Sequence, residues 1–407
     1  MPIISSHQNA ARIWSDRKIL ALERLPKGRN DWHPVIRDFL ELIEGDPFLY
    51  MNFRQMFDQI PKQPPYNEDP TGKPQIRDYH LMLGLFDHIL TCAPQWEDNH
   101  MVGLPMNAIL NWPMNTLAGQ VVFSDSRVNA QFKKVLDVWA EFLSTKESTY
   151  VLTKDDGGWF NPVVIPSHFE QTFVCDPSDP HYGFQSWDDF FTRRVRPGVR
   201  PVADPDDDSV ITSACESSVT RISLNIQTKG KLWMKGQPYS FEDMFNHDPF
   251  THSFIGGTVY QAFLSATNYH RWHSPVNGVV TKIVHISGTY YLQSPAVGFE
   301  SDDGPDVSCP DNSQPFLSHM ATRVLIFLES DNPLIGLMCF VAVGMVEVST
   351  CQATVSEGTR VSKGDELGMF HFGGSTYCLV FRSETKLEFL VGTDDHVLLN
   401  EKLARVL

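Results

Sequence analysis

The first part of the chain carries apolar residues at helical spacing. Five apolar positions between residues 32 and 50 fall on one helical face: Val35, Ile36, Phe39, Leu40 and Ile43. This spacing predicts an amphipathic helix that ends near Gly45. The same period recurs over residues 77–92 and, most strongly, over 126–144. The N-terminal third of the chain is therefore predicted to be helical.

A different pattern begins near residue 211, where short β-branched runs alternate with Gly, Asn and Asp turns through to the C-terminus. This pattern predicts a mainly antiparallel sandwich or a partly closed barrel. We therefore expect an α+β fold with a helical N-terminal domain over 1–154 and a β-rich domain over 181–407, joined by a Gly-, Pro- and Asp-rich linker over 155–180. The apolar run 333–346 is too short to span a bilayer and predicts two buried strands.

Composition and charge narrow the classes of partner. The chain has 407 residues, of which 42% are hydrophobic, so it can bury a large core. Its formal net charge of -16 argues against nucleic acid or an anionic membrane as partner. Arg193, Arg194 and Arg196 end a segment of helical period, 182–202, and predict a solvated helix end. The acidic loop 301–313 lacks the EF-hand spacing, which favours a solvated loop over a calcium site.

The cysteines and the N-terminus predict the compartment. Seven cysteines form no CxxC pair and are odd in number, which favours reduced thiols over a disulfide framework or a zinc site. The first residues of the chain lack an apolar segment of signal-peptide length. We therefore expect a cytoplasmic protein without stable membrane insertion.

The segment 363–381 carries the candidate chemistry. Gly373, Gly374 and Ser375 lie between alternating apolar residues, which predicts a strand with a flexible point where the Gly374 carbonyl is unshielded. If a base removes the Ser375 hydroxyl proton, the oxygen can attack that carbonyl and convert the amide into an ester. Elimination would then cut the chain, and hydrolysis of the resulting dehydroalanine would leave a ketone on residue 375. A bulge or a close backbone approach is the alternative for two strand glycines.

A second segment, residues 268–278, reads NYHRWHSPVNG. With it, the chain resembles the phosphatidylserine decarboxylase family of pyruvoyl enzymes, whose YHRxHxPxxG and GST motifs both occur here in the expected order. The resemblance implies self-cleavage between Gly374 and Ser375. It also implies a covalent pyruvoyl group (pyruvate), formed from Ser375, as the cofactor, and two fragments that remain associated.

The resemblance further implies roles for individual residues. Ser375 matches the nucleophile of the family, and His273, the second His of the motif, matches the base. The third member of the family's site is an Asp in a short turn after a strand, which holds the tautomer of the base; this chain has Glu216 at that place. His270 matches the acid of the decarboxylation stage, and no metal is implied. For His371, just before the cleavage point, a place in the site and a packed strand position are both open.

Several blocks are similar to a soluble fungal branch of this family: residues 114–148 and the blocks ACES, YHRWHSPVNG, STCQATVSEG and LGMFHFGGS. This likeness implies an accessory role for the helical domain and decarboxylation of a free aromatic L-amino acid, first L-tryptophan, to tryptamine and CO2. One alternative is a phosphatidylserine decarboxylase that makes phosphatidylethanolamine. Another is a binding or scaffold protein that cannot cleave itself because of Glu216. A serine hydrolase is disfavoured, because a GxSxG elbow is absent.

Overall fold

The computed structural model describes residues 31–98, 103–230, 239–299, 304–305, 310–347, 350–372 and 375–407. Two predicted features lie outside these ranges, the glycines 373–374 and most of the acidic loop 301–313. The described helices are α1 Pro34–Gly45, α2 Pro47–Asp58, α3 Tyr79–Ile89, α4 Pro105–Met114, α5 Leu117–Ser124, α6 Ser126–Leu143, α7 Phe169–Thr172, α8 Trp187–Phe191, α9 Phe241–Met244 and α10 Gln314–Met320. Short 3-10 helices cover Lys146–Val151, Pro180–Gly183, Pro249–Phe254, Pro295–Val297 and Pro310–Ser313.

The strands follow the helical part of the chain. They are β1 Val210–Thr212, β2 Ser217–Leu224, β3 Lys229–Gly230, β4 Tyr239–Ser240, β5 Thr258–Leu264, β6 Arg271–His273, β7 Gly278–Ile286, β8 Arg323–Ser330, β9 Leu337–Gly344, β10 Thr350–Ala353, β11 Arg360–Val361, β12 Glu366–His371, β13 Ser375–Phe381, β14 Leu387–Phe389, β15 His396–Val397 and β16 Lys402–Val406. Helices dominate the first half of the chain and strands the second, which confirms the predicted α+β fold.

The chain divides into two compact units. The helical unit comprises Met1–Asn161 and Tyr291–Asn312, and the β unit comprises Pro162–Tyr290 and Ser313–Leu407. The helical unit therefore takes a segment from between two strands of the β unit, β7 and β8. Within the helical unit this segment is anchored by Tyr291, whose ring centroid lies 4.8 Å from that of Phe132 in α6. The chain thus passes between the two units more than once.

In the helical unit, the apolar pattern decides which faces are buried. The buried residues of α1 are the five predicted ones: Val35, Ile36, Phe39, Leu40 and Ile43. This helix ends at Gly45, as predicted, and Asp46 then caps α2 by accepting two backbone hydrogen bonds, at 2.8 and 3.2 Å. Asp78 and Asp125 cap α3 and α6 in the same way. Each such cap contributes about 1 kcal/mol and fixes where a helix begins.

The β unit is built on an eight-stranded sheet with the order β11-β7-β8-β9-β13-β5-β2-β15. All of its pairings are antiparallel. The other described strands form two three-stranded sheets, β1-β16-β14 and β10-β12-β6, and the pair β3-β4. None of these described sheets closes into a barrel. The strand β13 lies inside the large sheet, between β9 and β5.

Strand β13 is buried over its whole length, and different layers cover its two faces. On one face, Tyr377 packs against Phe340 at 5.6 Å between ring centroids, and Phe340 packs against Trp272 of a small sheet at 5.2 Å. On the other face, the Gln261 side chain donates to the Gln314 carbonyl of α10 at 3.3 Å. The large sheet is therefore covered by strands on one side and by helices on the other.

The apolar run 333–346 forms one strand, and the prediction of two was wrong. Residues 331–336 make a turn, after which β9 crosses the large sheet. Because both faces of this sheet are covered, a strand in its middle needs apolar residues on both sides. Among the described residues, no helix has the length and apolar content needed to cross a bilayer.

Candidate active site

Ser375 is the first residue of β13, inside the large sheet. It pairs with Leu264 of β5 on one side and with Gly344 of β9 on the other. Its side chain is completely buried, and Oγ has no hydrogen-bond partner among the described residues. Because an unpaired buried hydroxyl costs about 1–3 kcal/mol, stability alone does not favour a serine here. Two neighbouring strands therefore hold the predicted nucleophile in place, and its hydroxyl has no hydrogen-bond partner in the described part of the chain.

Two other segments cover the face of the sheet that carries Ser375. Side chains alternate along a strand, so Ser375 and Tyr377 point to the same side of β13. The Tyr377 hydroxyl lies 3.5 Å from Ser213 Oγ, just before the turn predicted to hold the carboxylate. The Tyr377 ring packs through Phe340 onto Trp272 of β6, the strand that ends in the predicted base. The fold thus brings the three segments expected to react to one face of the large sheet.

His273 has partners at both ring nitrogens. Nδ1 lies 2.7 Å from the Gly364 carbonyl oxygen, and Nε2 lies 2.8 Å from the Tyr269 hydroxyl. Because a carbonyl can only accept, the neutral ring carries its proton on Nδ1, and Nε2 accepts from Tyr269. Burial lowers the pKa of His273 below its ordinary value of 6.5. The imidazole is therefore neutral at neutral pH, with a basic Nε2 and a fixed tautomer, as a general base requires.

Glu216 lies in the turn between β1 and β2. Its two carboxylate oxygens accept hydrogen bonds from Arg200 Nε and Nη2 at 3.1 and 3.0 Å, and both side chains are 14% exposed. No hydrogen bond within the described ranges joins any two of the Glu216, His273 and Ser375 side chains. The role predicted for Glu216, holding the tautomer of His273, is filled here by the Gly364 carbonyl. The participation of Glu216 in the reaction stays a prediction.

His270 lies in the core beside α8. It is fully buried, and its ring stacks on Phe191 with the centroids 4.0 Å apart. The His270 carbonyl accepts a hydrogen bond from the backbone of Phe370 in β12, at 2.9 Å. Phe191 in turn stacks on Trp187 at 5.1 Å. The residue predicted as the acid of the decarboxylation stage therefore lies against an aromatic wall formed by α8.

The same helix holds the end of β12, shortly before Ser375. His371 Nδ1 lies 2.9 Å from Asp188 Oδ1, and His371 Nε2 lies 2.8 Å from Gln352 Oε1. The side chains of His371 and Asp188 are only 13% and 16% exposed. The next residue, Phe372, has a φ of 70°, a left-handed conformation that is strained for a bulky side chain. His371 therefore fixes the backbone just ahead of the predicted cleavage point.

Arg193 is buried, so the prediction of a solvated helix end was wrong for this residue, whereas Arg194 is exposed as predicted. The segment 182–202 forms only the short α8, and Arg193 is 6% exposed. Its Nη2 donates to the carbonyls of Thr267 and Asn268 at 2.7 and 3.1 Å. Burial lowers the pKa of Arg193 to about 10, so it remains a cation at neutral pH. Arg271 donates back to the segment after α8, at 2.7 Å, so α8 and the 268–278 segment hold each other in place.

Three residues contribute to this arrangement without being singled out by the sequence: Gly364, Arg200 and Asp188. Tyr269 stands inside the recognised motif, but its contact with His273 was not predicted. Gly364 acts through its backbone carbonyl, which no side-chain pattern reports. Arg200 and Asp188 become informative once the fold shows the groups with which they pair.

Comparison with known proteins identifies the family of the chain. Two family models, both described as phosphatidylserine decarboxylase, match residues 33–167 and 187–405. A decarboxylase of Amanita muscaria, iboD, is 42% identical over 347 residues, which cover 79% of this chain and 99% of the relative. An L-tryptophan decarboxylase of Psilocybe cubensis is 39% identical over 373 residues, which cover 87% of this chain and 82% of the relative.

A more distant relative matches a smaller share of the chain. Phosphatidylserine decarboxylase proenzyme 3 of Schizosaccharomyces pombe is 30% identical over 231 residues, which cover 54% of this chain and 22% of the relative. The decarboxylases that match most of the chain define its class as a carboxy-lyase. Since the two family models together span most of the sequence, the chain belongs to the phosphatidylserine decarboxylase family.

Proposed function

We propose that this protein is a pyruvoyl-dependent decarboxylase of a free aromatic L-amino acid, first L-tryptophan, activated by self-cleavage between Gly374 and Ser375. The observation that carries the proposal is the Ser375 hydroxyl, which is buried and has no hydrogen-bond partner in the described ranges. A serine with a purely structural role would be paired or replaced by an apolar residue. The name proenzyme, borne by several relatives, is consistent with a precursor that is cleaved.

His273 is the base that starts the cleavage. The hydrogen bond from the Tyr269 hydroxyl to His273 Nε2 breaks, and Nε2 then accepts the proton of the Ser375 hydroxyl. The Ser375 oxygen bonds to the Gly374 carbonyl carbon, the C–N bond breaks, and the proton passes to the freed amino group, which leaves an ester. Removal of the α-proton of residue 375 then expels the Gly374 carboxylate and leaves dehydroalanine. Water hydrolyses this group to a ketone and releases ammonia.

Position 375 fits the pyruvoyl group that this chemistry would produce. The residue is buried in the sheet, and no hydrogen bond within the described ranges would be lost when its hydroxyl is consumed. When formed, the conjugated ketone supplies the electron sink for loss of CO2 from an α-amino acid. His270, buried against Phe191, is proposed to deliver the proton to the α-carbon.

Two observations favour a free aromatic amino acid over a lipid substrate. The L-tryptophan decarboxylase match covers 87% of the chain, whereas the lipid-decarboxylase match covers 54%. The wall beside His270 is also aromatic, since Trp187 stacks on Phe191 at 5.1 Å and on Phe372 at 6.5 Å. Because apolar pockets discriminate by only about 1–3 kcal/mol per group, L-tryptophan is the first substrate to test among several aromatic ones.

Two measurements test this function. Intact mass spectrometry of the purified protein should show two fragments, the smaller of which begins at residue 375 with a ketone in place of an amine. Release of CO2 should occur with free L-tryptophan and be absent with phosphatidylserine vesicles. Release confined to vesicles would establish phosphatidylethanolamine synthesis instead. A chain that stays intact after long incubation would identify a non-processing homologue with a binding or scaffold role.

We also propose a cytoplasmic location for this enzyme. The six described cysteines are free, as expected of thiols in a reducing compartment. Fractionation of cells that make the protein should recover the decarboxylase activity with the cytosol. Recovery in a pellet of membranes would contradict this location and would favour the lipid substrate.

A further inference from the structure

A cleft opens in the helical unit, and the proposed reaction uses none of the residues that line it. The loop 69–76, helix α3, residues 94–97 and the start of α4 form its walls. We call it the α3–α4 cleft. Its cavity volume is about 100 Å³, and further space beside it is open to solvent.

The walls of the α3–α4 cleft are mainly apolar. Five of the lining side chains belong to the buried core, each less than a tenth exposed: Ile76, Leu85, Ile89, Leu104 and Ile109. A ligand that places an apolar body against this wall would gain about 25 cal/mol for each Å² removed from water. The wall therefore favours a ligand with a ring or an alkyl body.

Asp69 contributes a carboxylate to the cleft, and only one of its two oxygens accepts hydrogen bonds from the described residues. Its Oδ1 accepts hydrogen bonds from Thr71 N, Thr71 Oγ1 and Lys73 N at 2.8, 2.7 and 3.1 Å. Its Oδ2 accepts none from the part of the chain that the structure describes. Burial raises the pKa of Asp69, because the charged form is partly removed from water. A cationic ligand at Oδ2 would offset that cost.

The charged side chains of the cleft determine whether a cation or a zwitterion fits it better. Lys73 Nζ lies 3.0 Å from Glu97 Oε1, and this pair balances itself. The carboxylate of Asp69 therefore leaves the lining with one uncompensated negative charge. His88 is the other titratable side chain of the lining. A zwitterionic amino acid would bring its own carboxylate into this negative site, whereas a simple ammonium ion would not.

We propose that the α3–α4 cleft binds an arylalkylammonium ion, with its ammonium group at Asp69 Oδ2 and its ring against the apolar wall. The amine released from an aromatic amino acid belongs to this class, and that link rests on the proposed function. The helical unit then holds a second site for the product of the reaction, separate from the residues around Ser375.

Calorimetric titration of tryptamine into the full-length Ser375→Ala protein tests the site, because this variant cannot form a ketone that condenses with amines. We expect one tryptamine per chain and at least tenfold weaker binding by Asp69→Asn. Asparagine keeps an oxygen acceptor for Thr71 and Lys73 but removes the charge. Asp137→Asn serves as the control, since this exposed carboxylate pairs with Lys133 on α6 outside the cleft. Ala108→Leu, which fills the cleft without changing its charge, should also weaken binding.

Three outcomes would overturn the proposal. Absence of tryptamine binding, or binding unaffected by both Asp69→Asn and Ala108→Leu, removes the site. Tighter binding of L-tryptophan than of tryptamine removes the preference for a monocation. Thermal melts of each variant show that loss of binding is not loss of folding. Release of CO2 by the wild-type protein is measured separately, so a protein that binds tryptamine but does not decarboxylate L-tryptophan loses the proposed function and keeps the cleft site.

Discussion

His273 owes its tautomer to a backbone atom. The Gly364 carbonyl holds the proton on Nδ1, so no substitution of a side chain at position 364 can remove that contact directly. Burial acts on the same ring by disfavouring the charged form. The two effects leave Nε2 as a lone-pair donor over a wide range of pH, which is the property that the cleavage needs.

The pH dependence of self-cleavage follows from the lowered pKa of His273. Because that pKa lies below 6.5, more than half of the imidazole is neutral at pH 6.5, and the rate there should exceed half of its maximum. Below the lowered pKa the rate should fall by about tenfold per pH unit, because only the unprotonated ring accepts the Ser375 proton. Labelled precursor from cell-free translation, sampled over time on denaturing gels, provides the rates. A midpoint above pH 6.5 would contradict the assignment of the base.

Substitution of the two central residues separates cleavage from decarboxylation. Ser375→Ala should abolish both, because neither the ester nor the ketone can form. His273→Ala should chiefly block cleavage and leave an intact chain on a denaturing gel. Ser356→Ala, on an exposed turn, should cleave like the wild type. A cleaved and active Ser375→Ala protein would refute the proposed cofactor.

Two variants distinguish a role of the Glu216 carboxylate in cleavage from a structural role of the Glu216–Arg200 ion pair. If Glu216 assists His273, Glu216→Gln should slow cleavage by about a hundredfold or more, as loss of a triad carboxylate does. Arg200→Met removes the other half of the pair and leaves the carboxylate, so it should not slow cleavage. The same gel assay compares the two variants. Equal slowing by both would show that the ion pair matters only for the fold.

At the scale of elements, Gly368 lets β6 lie close to β12. A Cβ at this position would stand 2.2 Å from the Gln352 carbonyl oxygen and 2.6 Å from the Trp272 ring. Gly368→Ala should therefore destabilise the protein by about 1–3 kcal/mol and slow cleavage, because β6 carries His273. Urea denaturation measures the first effect. Gly45→Ala is the control, since a Cβ there meets no atom within 4 Å; equal stability of the two variants would contradict the packing argument.

Elements whose pattern repeats locally were predictable, and contacts between distant elements were not. The buried face of α1 and its end at Gly45 follow directly from the spacing of apolar residues. The burial of Arg193 depends on a carbonyl 74 residues away in sequence, and the tautomer of His273 depends on Gly364, 91 residues away. No local pattern encodes such pairs. The motif resemblance therefore predicted which residues belong to the candidate site, whereas their hydrogen-bond partners became known only from the fold.

At the scale of the whole molecule, cleavage before Ser375 would leave two interlocked chains. The fragment from residue 375 supplies β13, which pairs along its length with β5 and β9 of the larger fragment. Both fragments should therefore elute together from a gel-filtration column in native buffer and separate in denaturant. Uncleaved Ser375→Ala protein, run beside them, gives the elution volume expected of the intact fold. Separation without denaturant would contradict the central position of β13.

Because β13 lies inside the large sheet, cleavage as proposed would also change how the protein refolds. The precursor finds its structure as a single polypeptide, at a rate that does not depend on concentration. After denaturation, the cleaved enzyme would instead refold by encounter of two separate chains, and its yield would depend on the protein concentration. At low protein concentration, the cleaved enzyme would therefore refold more slowly than its single-chain precursor.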